Sequence, residues 1–229
     1  MNYGILLAAG SGTRMGLDTP KQFLKLGDQC LLEICIEKFL ACEELKHIVV
    51  VASEEWFEYT KSVMKKYENE RISLCVGGDS RQESLKNGLI FLKNDFLIRD
   101  EDVVVTHDVA RPFVTLRMIR ENIDVCKTFG AADTVMPVID TIVESTGGDC
   151  ISQIPLRSVL YLGQTPQTFF INSFLEIYKK LSKEYLDKVT DAAKILQENG
   201  VNVGLVKGDY SNFKITTQFD LNVAKALIG

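Results

Sequence analysis

Histidine is scarce in this sequence, and its cysteines lack the spacing of metal sites or disulfide-rich folds. The 229 residues include two histidines and six cysteines, and no two cysteines form a C-x-x-C pair. A structural zinc site is therefore not expected, because such sites need clusters of Cys and His ligands. We expect the cysteines to be reduced thiols. Any bound metal is expected to be a hard cation held mainly by oxygen atoms.

The sequence also lacks an excess of positive charge and a long apolar segment. Its 26 Lys and Arg residues are outnumbered by 31 Asp and Glu residues, and the net charge is −5. We expect no nucleic-acid partner, because nucleic-acid-binding proteins normally present a basic face. The apolar run at 3–9 is too short to cross a membrane and follows no basic stretch. We therefore expect a cytoplasmic protein with no membrane span.

Apolar and β-branched runs recur along the chain, with amphipathic segments between them. Near-continuous apolar runs of this kind indicate strands that are buried on both faces. The predicted strands are 3–9, 47–52, 72–76, 102–107 and 133–138, and the predicted helices between them are 31–42, 54–68, 80–94 and 115–128. The alternation predicts an α/β protein with a mostly parallel sheet and helices on both faces.

The pattern changes after residue 138. Two short stretches flank Gly147-Gly148, which predicts a β-hairpin arm at about 139–157 that projects from the body and contacts a second subunit. The remaining patterns predict helices near 171–183 and 190–199, a strand at 201–206 and a closing helix near 218–228. Because no linker or low-complexity tract interrupts the chain, residues 1–229 are predicted to form a single domain.

Three polar loops follow predicted strands and contain "GSGTRMG", "GGDSRQES" and "HDVARP". Ligands of open α/β sheets bind beyond the carboxyl ends of the strands, so these loops are expected to meet at one edge. The glycines of the first loop are one residue too widely spaced for the dinucleotide motif G-x-G-x-x-G. Pro20-Lys21-Gln22 stands where a Walker A loop would have Gly-Lys-Ser or Gly-Lys-Thr. Two cations on this loop, Arg14 and Lys21, suit a triphosphate.

The second and third loops each allow a structural and a functional interpretation. Ser80 is expected to cap the following helix with Glu83 completing a capping box, while the double glycine before it lets the backbone reach a base or sugar. Asp108 either caps a turn or binds Mg²⁺, and Arg111 either pairs with Asp108 or anchors substrate hydroxyls or phosphate. His107 is interpreted as a packing residue and not as a general base.

Two late features are also open to two interpretations. Thr190-Asp191 is typical of a helix N-terminus, where capping alone would explain both residues. Lys214 lies in "NFKITT", where amphipathic patterning does not explain a cation. It is either a solvated lysine or a third phosphate ligand.

Seven blocks in order carry a family resemblance: "LLAAGSGTRMG", "PKQF", "GGDSRQESLKNGL", "HDVARPF", "GQTPQTF", "TDAAKIL" and "KITTQFDL". They resemble the cytidylyltransferases related to 2-C-methyl-D-erythritol 4-phosphate cytidylyltransferase, over almost the whole chain. The resemblance implies a Rossmann-like fold, CTP as a substrate, Mg²⁺ as a cofactor and a homodimer whose hairpin arms embrace. "THDVARPFVTLRMI" and "DTIVEST" look like the members that act on ribitol 5-phosphate.

The resemblance also implies roles for particular residues. Arg14 and Lys21 would be catalytic and stabilise the transition state. Residues that would cradle CTP are Leu7, Ala8, Ala9, Gly10, Gly12, Gly78, Asp79, Ser80, Arg81, Gln82, Glu83 and Ser84. Residues that would position the alditol phosphate are Arg111, Thr141, Arg157, Thr165, Thr190 and Lys214, with Arg157 reaching across the dimer. Asp108 would bind the metal.

The reaction so implied is the attack of a phosphate oxygen of an alditol phosphate on the α-phosphorus of CTP. The second pKa of a phosphate monoester is about 6, so the attacking oxygen is largely ionised at neutral pH and needs no general base. Mg²⁺ and the cations at 14, 21 and 214 would neutralise the charge of the two phosphate groups. Two alternatives remain: the same reaction with 2-C-methyl-D-erythritol 4-phosphate, and a catalytically silent nucleotide-binding protein.

Overall fold

A computed structural model describes residues 1–10, 19–67 and 71–228. Its strands are β1 Asn2–Leu7, β2 Lys25–Leu26, β3 Gln29–Cys30, β4 Leu45–Ala52, β5 Ile72–Val76, β6 Val103–Asp108, β7 Gly130–Pro137, β8 Tyr161–Phe170 and β9 Asn202–Lys207. Its α-helices are α1 Leu31–Leu40, α2 Phe57–Met64, α3 Arg81–Asp95, α4 Leu116–Phe129, α5 Ile171–Tyr178, α6 Lys183–Lys188, α7 Ala192–Glu198 and α8 Gln218–Ile228. In the described ranges, no helix is long and apolar enough to cross a membrane.

Seven strands form one sheet in the order β5-β4-β1-β6-β8-β7-β9. Neighbouring strands run parallel except at β8, which is antiparallel to both β6 and β7. All six residues of β6 are buried, as are seven of the eight in β4, which is why each strand contains a continuous apolar run, at 103–105 and 48–52. The mostly parallel sheet predicted from the sequence is therefore confirmed.

Helices cover both faces of the sheet and produce two hydrophobic clusters. On one face, α1 and α4 pack against the sheet through residues such as Ile36 and Ile119. On the other face, α3, α5 and α7 contribute Leu89, Phe174 and Ile195. The doubly covered sheet is the Rossmann-like architecture that the resemblance implied.

Strand β8 was not predicted, because its sequence contains residues that usually mark turns. Gly163 and Pro166 interrupt the segment, and proline cannot donate to a strand ladder. The structure accommodates Pro166 at an irregular place, where the β7–β8 register shifts between Asp133 and Val135. Gln164, Thr165 and Gln167 of this strand are buried, and their side chains bond to neighbouring strands and loops, which a sequence pattern does not reveal.

The predicted hairpin arm is the long tip of the β7–β8 hairpin. Beyond Pro137 the ladder continues with one hydrogen bond, from the Val138 N–H to the Leu160 carbonyl. The two short strands expected inside the arm are reduced to a single antiparallel bridge between Glu144 and Gln153. A two-stranded ribbon with no surface to pack against is only marginally stable in water, which explains why the arm has so little strand structure.

Another element that was not predicted is the separate antiparallel pair of β2 and β3, and the remaining differences lie at element boundaries. The helix predicted at 171–183 ends at Tyr178, and the short helix α6 follows it. The helix predicted at 54–68 consists of a 3₁₀ turn at Glu54–Trp56, α2 and a second 3₁₀ turn at Lys65–Tyr67. All six cysteines lie in the described ranges and are free thiols, and five of them are buried.

Candidate active site

The three polar loops meet at the carboxyl edge of the parallel strands. The Ala8 N–H donates to the Val51 carbonyl at 2.8 Å, and the Gly77 N–H donates to the Ala52 carbonyl at 2.7 Å. In the sheet, Leu7 is paired with Asp108 on β6. Residues 7–10, 77–84 and 108–111 are thereby neighbours, as the strand order requires.

The double glycine of the second loop has a packing reason that the sequence did not reveal. A Cβ atom on Gly77 would lie 2.7 Å from Ser84 Oγ and 3.0 Å from Ala9 Cβ. A Cβ atom on Gly78 would lie 2.4 Å from the Cβ of Glu83. Both glycines therefore allow the loop to pack against the first turn of α3.

Ser80 caps α3, as predicted. Its Oγ accepts a hydrogen bond from the Glu83 N–H at 3.1 Å. Glu83 Oε2 accepts at 3.0 Å from the N–H of Asp79 and not of Ser80, so the capping box is shifted by one residue. Ser84 Oγ accepts from the Gly78 N–H at 3.1 Å, which ties the loop to the helix. Capping therefore explains Ser80 and Glu83, and their predicted nucleotide contacts stay a prediction.

Asp108 lies between two cations that come from distant parts of the chain. Its Oδ1 accepts from Arg81 Nε at 3.1 Å, and its Oδ2 accepts from Lys214 Nζ at 2.7 Å. Burial acts to raise the pKa of this carboxyl, but Arg81 and Lys214 outweigh it and hold the pKa well below the usual range. Asp108 is therefore ionised and orients both cations. Lys214 is ion-paired with Asp108 and is not a free, solvated lysine, and its predicted contact with phosphate stays a prediction.

A chain of hydrogen bonds beneath Asp108 occupies His107 and Thr165. The Asp108 N–H donates to Thr165 Oγ1 at 3.2 Å, and that hydroxyl lies 2.9 Å from His107 Nδ1. His107 Nε2 lies 2.9 Å from the Arg111 carbonyl, which can only accept, so Nε2 carries the proton. Burial lowers the pKa of His107 to about 4. His107 is a neutral packing residue, as the sequence analysis preferred.

Arg111 holds the segment that carries Lys214. Its Nη1 donates to the Asn212 carbonyl at 3.0 Å and its Nη2 to the Gly163 carbonyl at 3.3 Å. The Asn212 amide in turn donates to the carbonyl of Thr165 at 2.8 Å. Arg111 therefore has a structural role that the sequence analysis did not assign, and its predicted substrate contact stays a prediction.

Asp133, whose carboxyl group interacts electrostatically with Arg111 and Arg81, was not predicted from the sequence as a candidate site residue. Its Oδ1 accepts from Gln167 Nε2 at 3.0 Å, and Gln167 Oε1 accepts from the Ala192 N–H at 3.2 Å. Burial is the largest cause that raises the pKa of Asp133 to about 7, with Asp191 adding to it and Arg111 opposing it. The signal in the sequence was an aspartate inside an apolar strand, "AADTVMP".

The other predicted site residues lie in different places. Lys21 begins a 3₁₀ turn, and its Cε lies 4.0 Å from where a Cβ on Gly10 would stand, so this cation adjoins the first loop. Thr190 is exposed just before Asp191, which caps α7 by accepting from the Lys194 N–H at 2.8 Å. Thr141 and Arg157 are exposed on the arm, where Arg157 Nη1 donates to the Ile139 carbonyl. Gly12 and Arg14 lie outside the described residues.

Several buried polar groups at the site have no hydrogen-bond partner in the described part of the chain. They are both amide atoms of Gln82, the Nη1 of Arg81 and the Nε of Arg111. Gln82 is 1 % exposed. Because buried polar groups in proteins are normally bonded, a cluster of this kind is typical of a site that receives a polar ligand.

The described residues do not form a metal site by themselves. They contain no group of three His, Cys, Asp or Glu side chains that could hold an ion. Asp108 would be a single carboxylate ligand, and both of its oxygens are already paired with cations. The assignment of Asp108 as a Mg²⁺ ligand therefore stays a prediction.

The fold and the site define a class of protein: an α/β enzyme with a nucleotide-type site, where cations and backbone loops meet at the carboxyl edge of a Rossmann-like sheet. The chain belongs to the 2-C-methyl-D-erythritol 4-phosphate cytidylyltransferase family, whose sequence profile matches residues 3–229. The chain is therefore a cytidylyltransferase, and the fold and activity that the resemblance implied are confirmed.

Individual relatives support this assignment. The chain is 45 % identical to a ribitol-5-phosphate cytidylyltransferase of Lactiplantibacillus plantarum, over 100 % of this chain and 98 % of the relative. The crystal structure of 4-diphosphocytidyl-2C-methyl-D-erythritol synthase from Anaerococcus prevotii superposes with a TM-score of 0.83 at 28 % identity, over 100 % of this chain and 96 % of that one. The crystal structure of 2-C-methyl-D-erythritol 4-phosphate cytidylyltransferase from Francisella tularensis superposes with a TM-score of 0.82 at 28 % identity, over 98 % of each chain.

Proposed function

We propose that this protein transfers the cytidylyl group of CTP to D-ribitol 5-phosphate and releases pyrophosphate. The observation that carries the proposal is the 45 % identity, along the whole chain, to a ribitol-5-phosphate cytidylyltransferase. The similar structures of enzymes that are named for methylerythritol are 28 % identical, which favours ribitol phosphate over methylerythritol phosphate as the acceptor.

No general base is needed for this reaction. The acceptor phosphate has a second pKa of about 6, so at neutral pH it is largely a dianion and can attack without losing a proton to the enzyme. His107 is fully buried, and both of its ring nitrogens are occupied by internal partners. The task of the enzyme is to bring two anions together, which is an electrostatic task.

Cations of the site perform that task. Arg81 and Lys214 are held on the two oxygens of Asp108, so their positions are fixed before substrates bind. Lys214 would hold the acceptor phosphate, while Lys21, beside Gly10, and Arg14 would stabilise charge on the departing pyrophosphate. Preorganised cations of this kind lower the barrier because little reorganisation is needed when charge develops.

We propose that Mg²⁺ binds to the protein together with the nucleotide. In proteins this ion is commonly bound by one or two carboxylates together with substrate phosphates. With Asp108 as the single carboxylate between Arg81 and Lys214, the phosphates of CTP would be the main ligands.

We further infer that the protein is a homodimer joined through its arms. The arm and the residues that follow it into the start of β8 expose large apolar side chains that are each at least half accessible: Ile139, Val143, Ile151, Ile154, Leu156, Val159 and Leu162. Apolar groups concentrated on one projecting segment mark an interaction surface. A second copy of the chain is the proposed occupant, because the family resemblance implies arms that embrace and an Arg157 that crosses to the partner's site.

A pyrophosphate-release assay with CTP and each acceptor tests the proposed function. We expect kcat/KM for D-ribitol 5-phosphate to exceed that for 2-C-methyl-D-erythritol 4-phosphate by at least about tenfold, because a site built to hydrogen-bond substrate hydroxyls discriminates strongly. The reverse preference would contradict the assignment and favour the methylerythritol reaction. No release with any pentitol or tetritol phosphate would favour a catalytically silent nucleotide-binding protein.

A further inference from the structure

The position of Asp133 is fixed by two hydrogen bonds that run through Gln167. Gln167 lies opposite Asp133 in the β7–β8 pair, donates from Nε2 to Oδ1 at 3.0 Å, and accepts from the Ala192 N–H at the start of α7. The carboxyl group is thus oriented by both a neighbouring strand and a helix terminus. Such double support is typical of a side chain that must hold one geometry.

The second oxygen of Asp133 has no such support. Among the described residues, Oδ2 accepts no hydrogen bond, while Oδ1 accepts from Gln167. The residue on its other side is Gly163, where a Cβ would stand 3.9 Å from Oδ2. The Gly163 carbonyl accepts from Arg111, so Oδ2 lies beside a residue that Arg111 contacts.

Asp133 is costly to the folded protein as an isolated group. It forms no ion pair within the described part of the chain, and burial together with Asp191 raises the pKa of its carboxyl to about 7. A half-buried carboxyl group whose ionisation its surroundings oppose reduces stability at neutral pH unless something else binds it. An apolar residue would suit the interior of β7 better, so stability alone does not explain an aspartate.

Hydrogen-bond chemistry limits what the free oxygen can bind. Arg81, Arg111 and Lys214 are donors only, so they suit phosphate oxygens. Asp108 has both oxygens engaged by cations. Hydroxyl groups of a polyol need acceptors as well as donors, and Asp133 Oδ2 is an acceptor that no described residue occupies.

We propose that Asp133 is a specificity-determining residue of the acceptor site, and that its Oδ2 accepts a hydrogen bond from a hydroxyl group of the polyol chain. The inference rests on the proposed function, since it identifies the acceptor as a polyhydroxylated phosphate. It predicts that Asp133 acts on the acceptor and has little effect on CTP.

Steady-state kinetics of Asp133→Asn test this role, with Asp124→Asn on the exposed surface of α4 as the matched control. We expect kcat/KM for D-ribitol 5-phosphate to fall by roughly 10- to 100-fold, mainly through KM. Gln167 would hold the remaining amide oxygen, which leaves an N–H donor in the place of the acceptor Oδ2. The KM for CTP should stay within about twofold, and the preference for ribitol phosphate over glycerol 3-phosphate should shrink by a similar factor. Asp124→Asn should match the wild type. An unchanged preference in Asp133→Asn, or an equal loss for both acceptors, would overturn the proposal.

Deoxygenated acceptors provide a test that uses the wild-type enzyme. One ribitol 5-phosphate analogue, lacking the hydroxyl that Asp133 binds, should lose roughly 10- to 100-fold in kcat/KM with wild type and lose nothing further with Asp133→Asn. If no monodeoxy analogue loses activity, the proposal is wrong. Wild-type inactivity with D-ribitol 5-phosphate contradicts the proposed function as well, whereas wild-type activity with unaltered hydroxyl preference in the variant contradicts this inference alone.

Discussion

Asp108 accepts hydrogen bonds from two cations that are far apart in the sequence. Arg81 and Lys214 lie 27 and 106 positions away from it, and both donate to its carboxylate. Arg81, Asp108 and Lys214 were each identified from the sequence as candidate site residues, but their bonds to one another were not predicted. Their motifs follow separate strands, and only the sheet order brings them to one edge.

Lys214 is the cation whose removal tests the electrostatic mechanism at the residue scale. Lys214→Ala should lower turnover by two to three decades, roughly 3 to 4 kcal/mol of transition-state stabilisation, by analogy with other preorganised charge-stabilising groups. Initial-rate measurements at saturating CTP check this, with Lys194→Ala on the exposed side of α7 as the control. A Lys214→Ala enzyme with near-wild-type turnover would remove Lys214 from the mechanism.

Replacing Asp133 by a residue that cannot ionise should stabilise the protein, and the gain should grow as the pH rises. The folded-state pKa of about 7 lies above the ordinary value of 3.8, so ionisation disfavours the folded state and stability is lost as pH rises through this interval. The charged groups that face this carboxyl are Asp191, Arg111 and Arg81. They are the same in the wild type and in Asp133→Asn. Asp133→Asn cannot ionise and should be more stable than wild type by about 1–3 kcal/mol at pH 8, with the difference vanishing near pH 4.

Urea unfolding of both proteins at pH values from 4 to 8 measures that difference. A difference that stays constant with pH would show that the carboxyl titrates as an exposed aspartate does. A gain in stability that accompanies a loss of acceptor binding would show that Asp133 is retained for function.

At the scale of elements, the parallel half of the sheet was predictable and β8 was not. Strands β4 and β6 are buried on both faces, and each contains a continuous apolar run, at 48–52 and 103–105. Strand β8 buries Gln164, Thr165, Gln167 and Thr168, whose polar groups are largely satisfied by partners on other elements. Local patterning contains no information on such partners, which is also why Asp133 was missed.

The substitution Gly77→Ala tests how the second loop packs against α3. Gly77→Ala places a Cβ 2.7 Å from Ser84 Oγ and 3.0 Å from Ala9 Cβ, so the loop must shift. We expect a loss of about 1–3 kcal/mol in unfolding free energy and weaker binding of CTP. Gly147→Ala, at a position with no atom within 4 Å, should change stability by less than about 0.5 kcal/mol. Chemical denaturation and nucleotide titration of both variants check this, and equal stability of the two would contradict the packing.

In the whole molecule, the arm is the part whose apolar side chains a single chain does not bury. Its apolar side chains are exposed although the body buries its own on both faces of the sheet. The sequence predicted a projecting hairpin here, but an isolated chain provides no surface that would extend its strands. A partner copy would provide that surface.

Charge placed on the arm should therefore separate the subunits. Wild type is expected to sediment at twice the mass of the 25.7 kDa chain, and Leu156→Asp combined with Val159→Asp at that of one chain. Leu97→Asp is the control, because Leu97 is 85 % exposed and lies outside the arm. Analytical ultracentrifugation distinguishes these results. A monomeric wild type, or a dimer that survives both arm substitutions, would contradict the arm interface.

We propose above that this cytidylyltransferase uses a ribitol phosphate as its acceptor. An internal competition measures it most directly: the enzyme receives CTP with equal amounts of D-ribitol 5-phosphate and 2-C-methyl-D-erythritol 4-phosphate, and mass spectrometry quantifies the two products at low conversion. Their ratio equals the ratio of the two kcat/KM values. We expect CDP-ribitol to predominate by at least about tenfold. A predominance of the methylerythritol product would contradict the assignment.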